Sequence, residues 1–200
     1  MARRDAGRRR LEQTAYHEAG HAVAQALLPH VAKLRKVSIV PDEKAGNLGS
    51  AHSHGEPSFR PDVEADLRKV VDEIVVLLAG SVAEKRFAGR ANHIGARSDY
   101  NAAIDLASYV TGSDSEEINE LLRWLRKRAE GFVARHWKSI CTVAGALLDK
   151  HTLSGREVHY WIDVATLGRE KADRHATMFA EMRARFRAAR REGPRPTVRA

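Results

Sequence analysis

Residues 17–21 carry the side chains whose types and spacing most clearly define a reaction. They are His-Glu-Ala-Gly-His, so two imidazoles and one carboxylate lie within one short segment. On an α-helix, side chains four residues apart point about 40° from one another and lie about 6 Å apart along the axis. His17 and His21 can therefore reach one metal ion, and Glu18, rotated about 100°, can approach a water molecule beside that ion.

Zinc is the metal that this set of donors predicts, because imidazoles with a carboxylate suit a borderline Lewis acid. A catalytic zinc site keeps one position open for water, whose pKa falls to about 7. Glu18 is then predicted to be the catalytic base, which takes a proton from the water and passes it to a leaving amine. The pattern predicts a zinc metallopeptidase. Its alternative is a pair of surface histidines on an amphipathic helix.

The third ligand is not identified by local spacing. The extended pattern HExxHxxGxxH fails, because Ala24 and Leu27 stand where it needs glycine and histidine. Glu43 lies in PDEKAGN, a predicted turn that does not present a carboxylate from a packed helix. Asp99 remains a candidate, although an aspartate where a loop meets an apolar helix is more commonly an N-cap.

The elements that must position these residues are mostly helical. Apolar residues at helical spacing predict a helix over 11–28, which contains the histidine pair and stops at Pro29. Further helices are predicted over 61–88, 98–111, 115–150, 154–167 and 169–191. The first of these is apolar on nearly all sides at 74–79, so this stretch is predicted to be buried in the core. The β-branched run at 36–40 predicts a strand, and 45–58 could hold a second, exposed one. The predicted fold class is mainly α with a small β-sheet.

The formal charge of +8 is concentrated at the two ends of the chain. Residues 1–10 contain five Arg and one Asp, residues 183–200 contain seven Arg and one Glu, and the remainder has a charge of −2. We predict a basic N-terminal extension at 1–10, a zinc metallopeptidase domain at 11–167, and a basic C-terminal helix and tail at 168–200. No aromatic platform accompanies the arginines, so solvated extensions are favoured over a nucleic-acid site.

The compartment is predicted from what the sequence lacks. No apolar run reaches the roughly 20 residues of a membrane span, and the basic start is not followed by a signal-peptide core. The single cysteine, Cys141, allows no disulfide within one chain, which fits a reducing compartment. We therefore expect a soluble, cytoplasmic protein with no membrane span.

Five ordered segments resemble the peptidase domain of FtsH-type zinc proteases. They are TAYHEAGHAVA at 14–24, KVSIVP at 36–41, LAGSVAEKRFAG at 78–89, GARSDYNAA at 95–103 and ALLDKHTLSGREV at 146–158. The resemblance implies that His17, His21 and Asp99 bind the metal and that Glu18 is the base. It also implies a small sheet whose edge strand, at AGNLGSAH (45–52), binds extended peptide substrate.

The sequence also departs from the FtsH pattern. FtsH proteins carry membrane helices and an ATPase module, whereas this sequence has no predicted span and no GxxxxGK[ST] phosphate loop. We therefore expect a stand-alone peptidase for unfolded or flexible polypeptides, which a separate AAA-type ATPase could supply and which could form a homo-oligomer. Lys85 replaces an acidic residue after Glu84, and Arg97-Ser98 replaces a commoner polar pair, so the surroundings of the ligands can differ.

Two alternatives stay open at this level. Glu84 could orient a ligand histidine or simply face solvent. The chain as a whole could instead be a degenerate peptidase fold that binds a protein or nucleic acid through its basic ends, although a binding module has no need of the intact HEAGH segment and Asp99.

Overall fold

The computed structural model of the chain describes residues 2–41, 50–53, 64–90, 95–112 and 114–192. Its helices are α1 (Ala2–Leu27), α2 (Glu64–Ala88), α3 (Gly95–Thr111), α4 (Ser115–Arg135), α5 (Trp137–Lys150), α6 (Gly155–Leu167) and α7 (Arg169–Glu192). Its strands are β1 (Leu34–Ser38), β2 (Ser50–Ser53) and β3 (Thr152–Ser154). The predicted fold class, mainly α with a small sheet, is confirmed.

Helices α1 and α2 lie at the centre of the fold, and small residues line their contact. At Gly20 a Cβ atom would lie 2.6 Å from the carbonyl oxygen of Ala79 and 2.8 Å from Cβ of Ala83. Any larger residue at this position would push the two helices apart. Ala19 and Ala22 beside it are fully buried, and so is most of the apolar stretch at 74–79 that the sequence predicts to be core.

Helix α1 begins at Ala2, nine residues before the predicted start at Leu11. Alanine and arginine both favour helix, and Nε of Arg8 donates a hydrogen bond of 3.1 Å to Glu12 one turn later. The helix ends at Leu27, close to the predicted stop at Pro29. The basic residues therefore continue the helix that carries the histidine pair.

The three strands form one antiparallel sheet in the order β2-β1-β3. Val37 of β1 pairs with Leu153 of β3, and both side chains are fully buried. Strand β2 lies at an edge of the sheet, within the 45–58 stretch that could hold a second strand. Residues 45–49 of the expected substrate-binding edge lie outside the described residues.

Strand β3 was not predicted, and it follows directly from the end of α5. His151 takes the left-handed conformation with φ 63°, which turns the chain out of the helix. Its carbonyl oxygen then accepts a 2.9 Å hydrogen bond from the amide of Ile39, directly after β1. The sheet and α5 are therefore joined through one residue.

The prediction of a single helix over 115–150 is wrong, because α4 and α5 meet at a break. His136 leaves helical geometry with φ −101° and ψ 17°. Helix α4 packs on α2 and α3, whereas α5 packs on α1 and α6. Packing on different neighbours therefore outweighs the continuous helical pattern, which reports only local preference.

Helices α6 and α7 complete the described chain. Ser154 and Glu157 form a capping box at the start of α6, and α7 follows the range predicted at 169–191. Ala172 of α7 is fully buried, whereas the other described side chains of this helix are exposed. Among the described residues, no helix has the length and apolar character that a membrane crossing requires. The division of the chain at residues 10 and 167 stays a prediction.

Candidate metal centre

The side chains of His17, His21 and Asp99 converge, although Asp99 comes from a different helix. The two histidines lie on α1, and Asp99 lies on α3. Nε2 of His17 is 3.0 Å from Nε2 of His21 and 3.0 Å from Oδ2 of Asp99. The third distance, from His21 Nε2 to Asp99 Oδ2, is 3.2 Å. Asp99 is already inside α3, which begins at Gly95, so it is not the cap that its sequence context also allowed.

The three converging atoms have the spacing that a tetrahedral zinc ion needs. Zinc bonds of about 2.0–2.1 Å to nitrogen and oxygen place two ligands of a tetrahedral ion about 3.3 Å apart. The observed separations of 3.0 to 3.2 Å are close to that value. Two imidazole nitrogens at this distance have room for no more than one proton between them. Two imidazoles and a carboxylate could therefore hold zinc and leave a position for water.

Hydrogen bonds on the far side of each ring orient the two histidines. Nδ1 of His21 donates to the carbonyl oxygen of Val76 at 2.8 Å, and Nδ1 of His17 lies 3.3 Å from Oε2 of Glu84. With the proton on Nδ1, each ring turns the lone pair of Nε2 toward the shared point. Glu84 is 3% exposed, so it faces the site and not solvent.

Gly80 makes room for the ring of His21. A Cβ atom at this position would overlap the imidazole, at Nε2 most closely, with Cε1 2.6 Å and Cδ2 2.7 Å away. Sequence reasoning did not identify this residue. The available signal was a glycine inside an apolar helix, where it costs up to about 1 kcal/mol relative to alanine and usually has a packing reason.

An aromatic cluster holds α1 immediately before the first histidine. The ring of Tyr16 stacks on Phe87 of α2 at a centroid distance of 3.9 Å and on Trp137 of α5 at 5.6 Å. The guanidinium of Arg86 lies 4.6 Å above the Trp137 ring. Three helices are therefore locked together one residue away from His17.

The charges around His17, His21 and Asp99 favour a bound cation. Burial acts to lower the pKa of His17, but hydrogen bonds to Asp99 and Glu84 outweigh it and raise the pKa to about 10. Burial acts to raise the pKa of Asp99, yet the hydrogen bonds from His17 and His21 hold that pKa below its usual range. The two carboxylates therefore stabilise positive charge at this point.

Glu18 is buried beside the histidines, with 6% of its surface exposed. Burial raises the pKa of this carboxyl, and the nearby His21 and His17 act in the opposite direction. A carboxylate with a raised pKa accepts a proton more readily than an exposed glutamate does. The environment of Glu18 therefore suits a proton acceptor.

A helix carrying HExxH, with an aspartate from a second helix beside it, is the arrangement of a zinc metallopeptidase domain. The sequence profile of Peptidase family M41 matches residues 6–113, which is more than half of the chain and includes all three converging residues. The chain belongs to peptidase family M41.

Several curated relatives carry the FtsH name. The ATP-dependent zinc metalloprotease FTSH 11, chloroplastic/mitochondrial, of Arabidopsis thaliana is 29% identical over 171 residues, covering 72% of this chain and 20% of the relative. ATP-dependent zinc metalloprotease FtsH 1 of Thermoanaerobacter sp. (strain X514) is 28% identical over 180 residues, covering 72% and 29%. The chain thus spans between a fifth and a third of these two relatives. The resemblance to FtsH-type peptidase domains is confirmed.

Proposed function

We propose that this chain is a zinc-dependent metalloendopeptidase that hydrolyses peptide bonds of unfolded or flexible polypeptides. The observation that carries the proposal is the convergence of His17, His21 and Asp99 within 3.2 Å, next to a buried glutamate. These three residues are the proposed zinc ligands. When bound, zinc supplies Lewis-acid chemistry that polarises a carbonyl group and acidifies water.

Glu18 is the proposed general base. It accepts a proton from the attacking water and then delivers that proton to the amine nitrogen that leaves. Its fixed place on α1, one residue after His17, keeps the carboxylate at the site throughout both transfers. Proton transfer by a positioned side chain contributes about 10²- to 10⁴-fold to the rate.

The position of β2 at an edge of the sheet favours an extended polypeptide as the substrate. One side of β2 pairs with β1, and β2 has no second neighbour among the described strands. An extended peptide could add there through backbone hydrogen bonds, which do not depend on its sequence. Because folded proteins seldom offer a free extended segment, unfolded or flexible chains are the proposed substrates.

The supply of substrate is a further part of the proposal. The Arabidopsis thaliana and Thermoanaerobacter relatives are both named ATP-dependent. We include a separate AAA-type ATPase as the source of unfolded polypeptide, and a homo-oligomer as the assembly that receives it. The cytoplasmic location expected from the sequence also stays a prediction.

Hydrolysis of casein, a disordered protein, tests the mechanism directly. We expect the purified chain to cleave casein and to lose activity with a zinc chelator. Glu18→Gln should lower the rate by about 10²- to 10⁴-fold and retain bound zinc. Glu12→Gln is the matched control, since Glu12 lies on the same helix and pairs with the exposed Arg8. If Glu18→Gln cleaves casein as fast as the parent protein, Glu18 is not the base.

A further inference from the structure

Helix α7 exposes large apolar side chains on one face. Met178 is 53% exposed, Phe179 44%, Met182 42% and Phe186 68%. Side chains of this size usually lie in a core or an interface, because removing their apolar surface from water is favourable. Their clustering within nine residues of one helix marks a surface that another molecule can cover.

Three of these side chains, Phe179, Met182 and Phe186, belong to a regular repeat along α7. Ala172, His175, Phe179, Met182 and Phe186 are separated alternately by three and four residues. This is the heptad spacing of a coiled-coil seam, in which side chains of one helix fit between those of a facing helix. We call these five residues the α7 seam.

The first part of the α7 seam is fixed to the body of the protein. Ala172 is fully buried. The hydroxyl of Tyr160 on α6 donates a 2.7 Å hydrogen bond to Asp173 of α7. Nδ1 of His175 on α7 lies 3.4 Å from Oδ2 of Asp163 on α6. The exposed part of the seam therefore continues a helix face that packs on α6 at its start.

The charged residues around the exposed part of the seam are mostly cationic. Between positions 174 and 188 the helix has Arg174, Arg183, Arg185 and Arg187 but a single acidic residue, Glu181. Arg183 and Arg185 are at the e and g positions that flank a heptad seam, and these positions set which partner is accepted. Two copies of α7 side by side would bring together two segments with the same net charge, so an anionic partner is favoured over a second copy.

The width of the apolar stripe favours a helix over a lipid surface as the anionic partner. A helix on a lipid surface buries a wide apolar face, whereas a facing helix needs only a narrow a and d seam. The α7 seam is narrow, because Arg183 and Arg185 lie on its two sides. It is also interrupted by one polar side chain, His175. We propose that the α7 seam docks an amphipathic helix of another protein, whose own apolar seam is flanked by Asp and Glu. This inference does not depend on the peptidase reaction.

Two designed peptides test the proposal against the full chain. Both are helical with Leu at the seam positions, and they differ only in having Glu or Lys at the flanking positions. Fluorescence anisotropy at low salt should show that the Glu-flanked peptide binds about tenfold more tightly or better, and that added salt weakens it. Phe179→Ser/Phe186→Ser should abolish this binding. Trp124→Ser, which removes a 55% exposed aromatic side chain from α4, should leave it unchanged.

A charge reversal gives the sharper outcome. In Arg183→Glu/Arg185→Glu the preference should invert toward the Lys-flanked peptide, which a merely sticky apolar patch would not produce. Equal binding of both peptides, or binding of neither, overturns the proposal. So does seam-dependent binding to phosphatidylglycerol vesicles without peptide binding, or a dimer in light scattering that Phe179→Ser/Phe186→Ser abolishes.

Discussion

Helices α1 and α7 are of similar length, 26 and 24 residues, and both include arginine-rich stretches. Their packing differs because their side chains differ in size. Around the histidines, α1 has Ala19, Gly20 and Ala22, which let α2 approach closely and bring polar groups from three helices to one buried point. Helix α7 instead turns Phe and Met to solvent, and in the described part of the chain little covers them. A buried polar site therefore depends on small residues on the packed face of the helix. Helix length and charge matter less, since α1 and α7 are of similar length and both include arginine-rich stretches.

The largest contrast should come from placing the same charge on both helices. Ala19→Asp puts a carboxylate where the side chain is fully buried on α1, and we expect a loss of about 4 kcal/mol or more in the free energy of unfolding. Ala180→Asp, on the exposed surface of α7, should change it by less than about 0.5 kcal/mol. Urea unfolding measures both. Equal losses would show that α7 is packed in the protein as tightly as α1.

Adding one methyl group, by a Gly→Ala substitution, should distinguish a closely packed helix surface from an open one. Gly20→Ala forces Cβ against the Ala79 carbonyl oxygen, so α1 must shift, at a cost of about 1–3 kcal/mol. Gly131→Ala on α4 meets no atom within 4 Å and should stabilise the helix by about 0.5–1 kcal/mol. Thermal unfolding of the two variants gives the signs. A stabilising Gly20→Ala would contradict the close approach of α1 and α2.

A glutamate that contacts the α1 histidines and a glutamate on α7 should differ in their effect on zinc affinity. Glu84→Gln weakens the orientation of His17 and should lower zinc affinity by about 10- to 100-fold. Glu170→Gln on α7 removes the carboxylate of an exposed pair with Arg174 and should leave zinc affinity unchanged. Competition with a fluorescent zinc chelator measures both. An unchanged affinity in Glu84→Gln would mean that Glu84 does not support the site.

Much of the fold could be predicted because its signals are local. The helix with the histidine pair, the buried apolar stretch of α2 and the basic helix α7 all follow from periodicity and composition. The break at His136 and the strand β3 could not, because each depends on which neighbours the flanking residues contact. Helix periodicity is the same on both sides of His136, and β3 is too short to show an alternating pattern.

The site residues also divide into those that local spacing predicts and those that it does not. His17, Glu18 and His21 lie within five consecutive residues, so helix geometry alone predicts that the histidines face one point and that Glu18 lies beside it. Asp99 is 82 residues from His17, and no spacing rule connects them; the resemblance to FtsH-type peptidases selected it. Glu84 and Gly80 act through contacts between helices, which sequence spacing does not report.

The zinc content of the purified chain tests the central claim most directly. We predict one zinc ion per chain in the parent protein and in Asp105→Asn, a control for an exposed carboxylate on the same helix as Asp99. Asp99→Asn should lose the zinc on dialysis, together with casein hydrolysis, while keeping its helical circular dichroism. Zinc retained by Asp99→Asn with the parent's affinity would contradict the site that His17, His21 and Asp99 define.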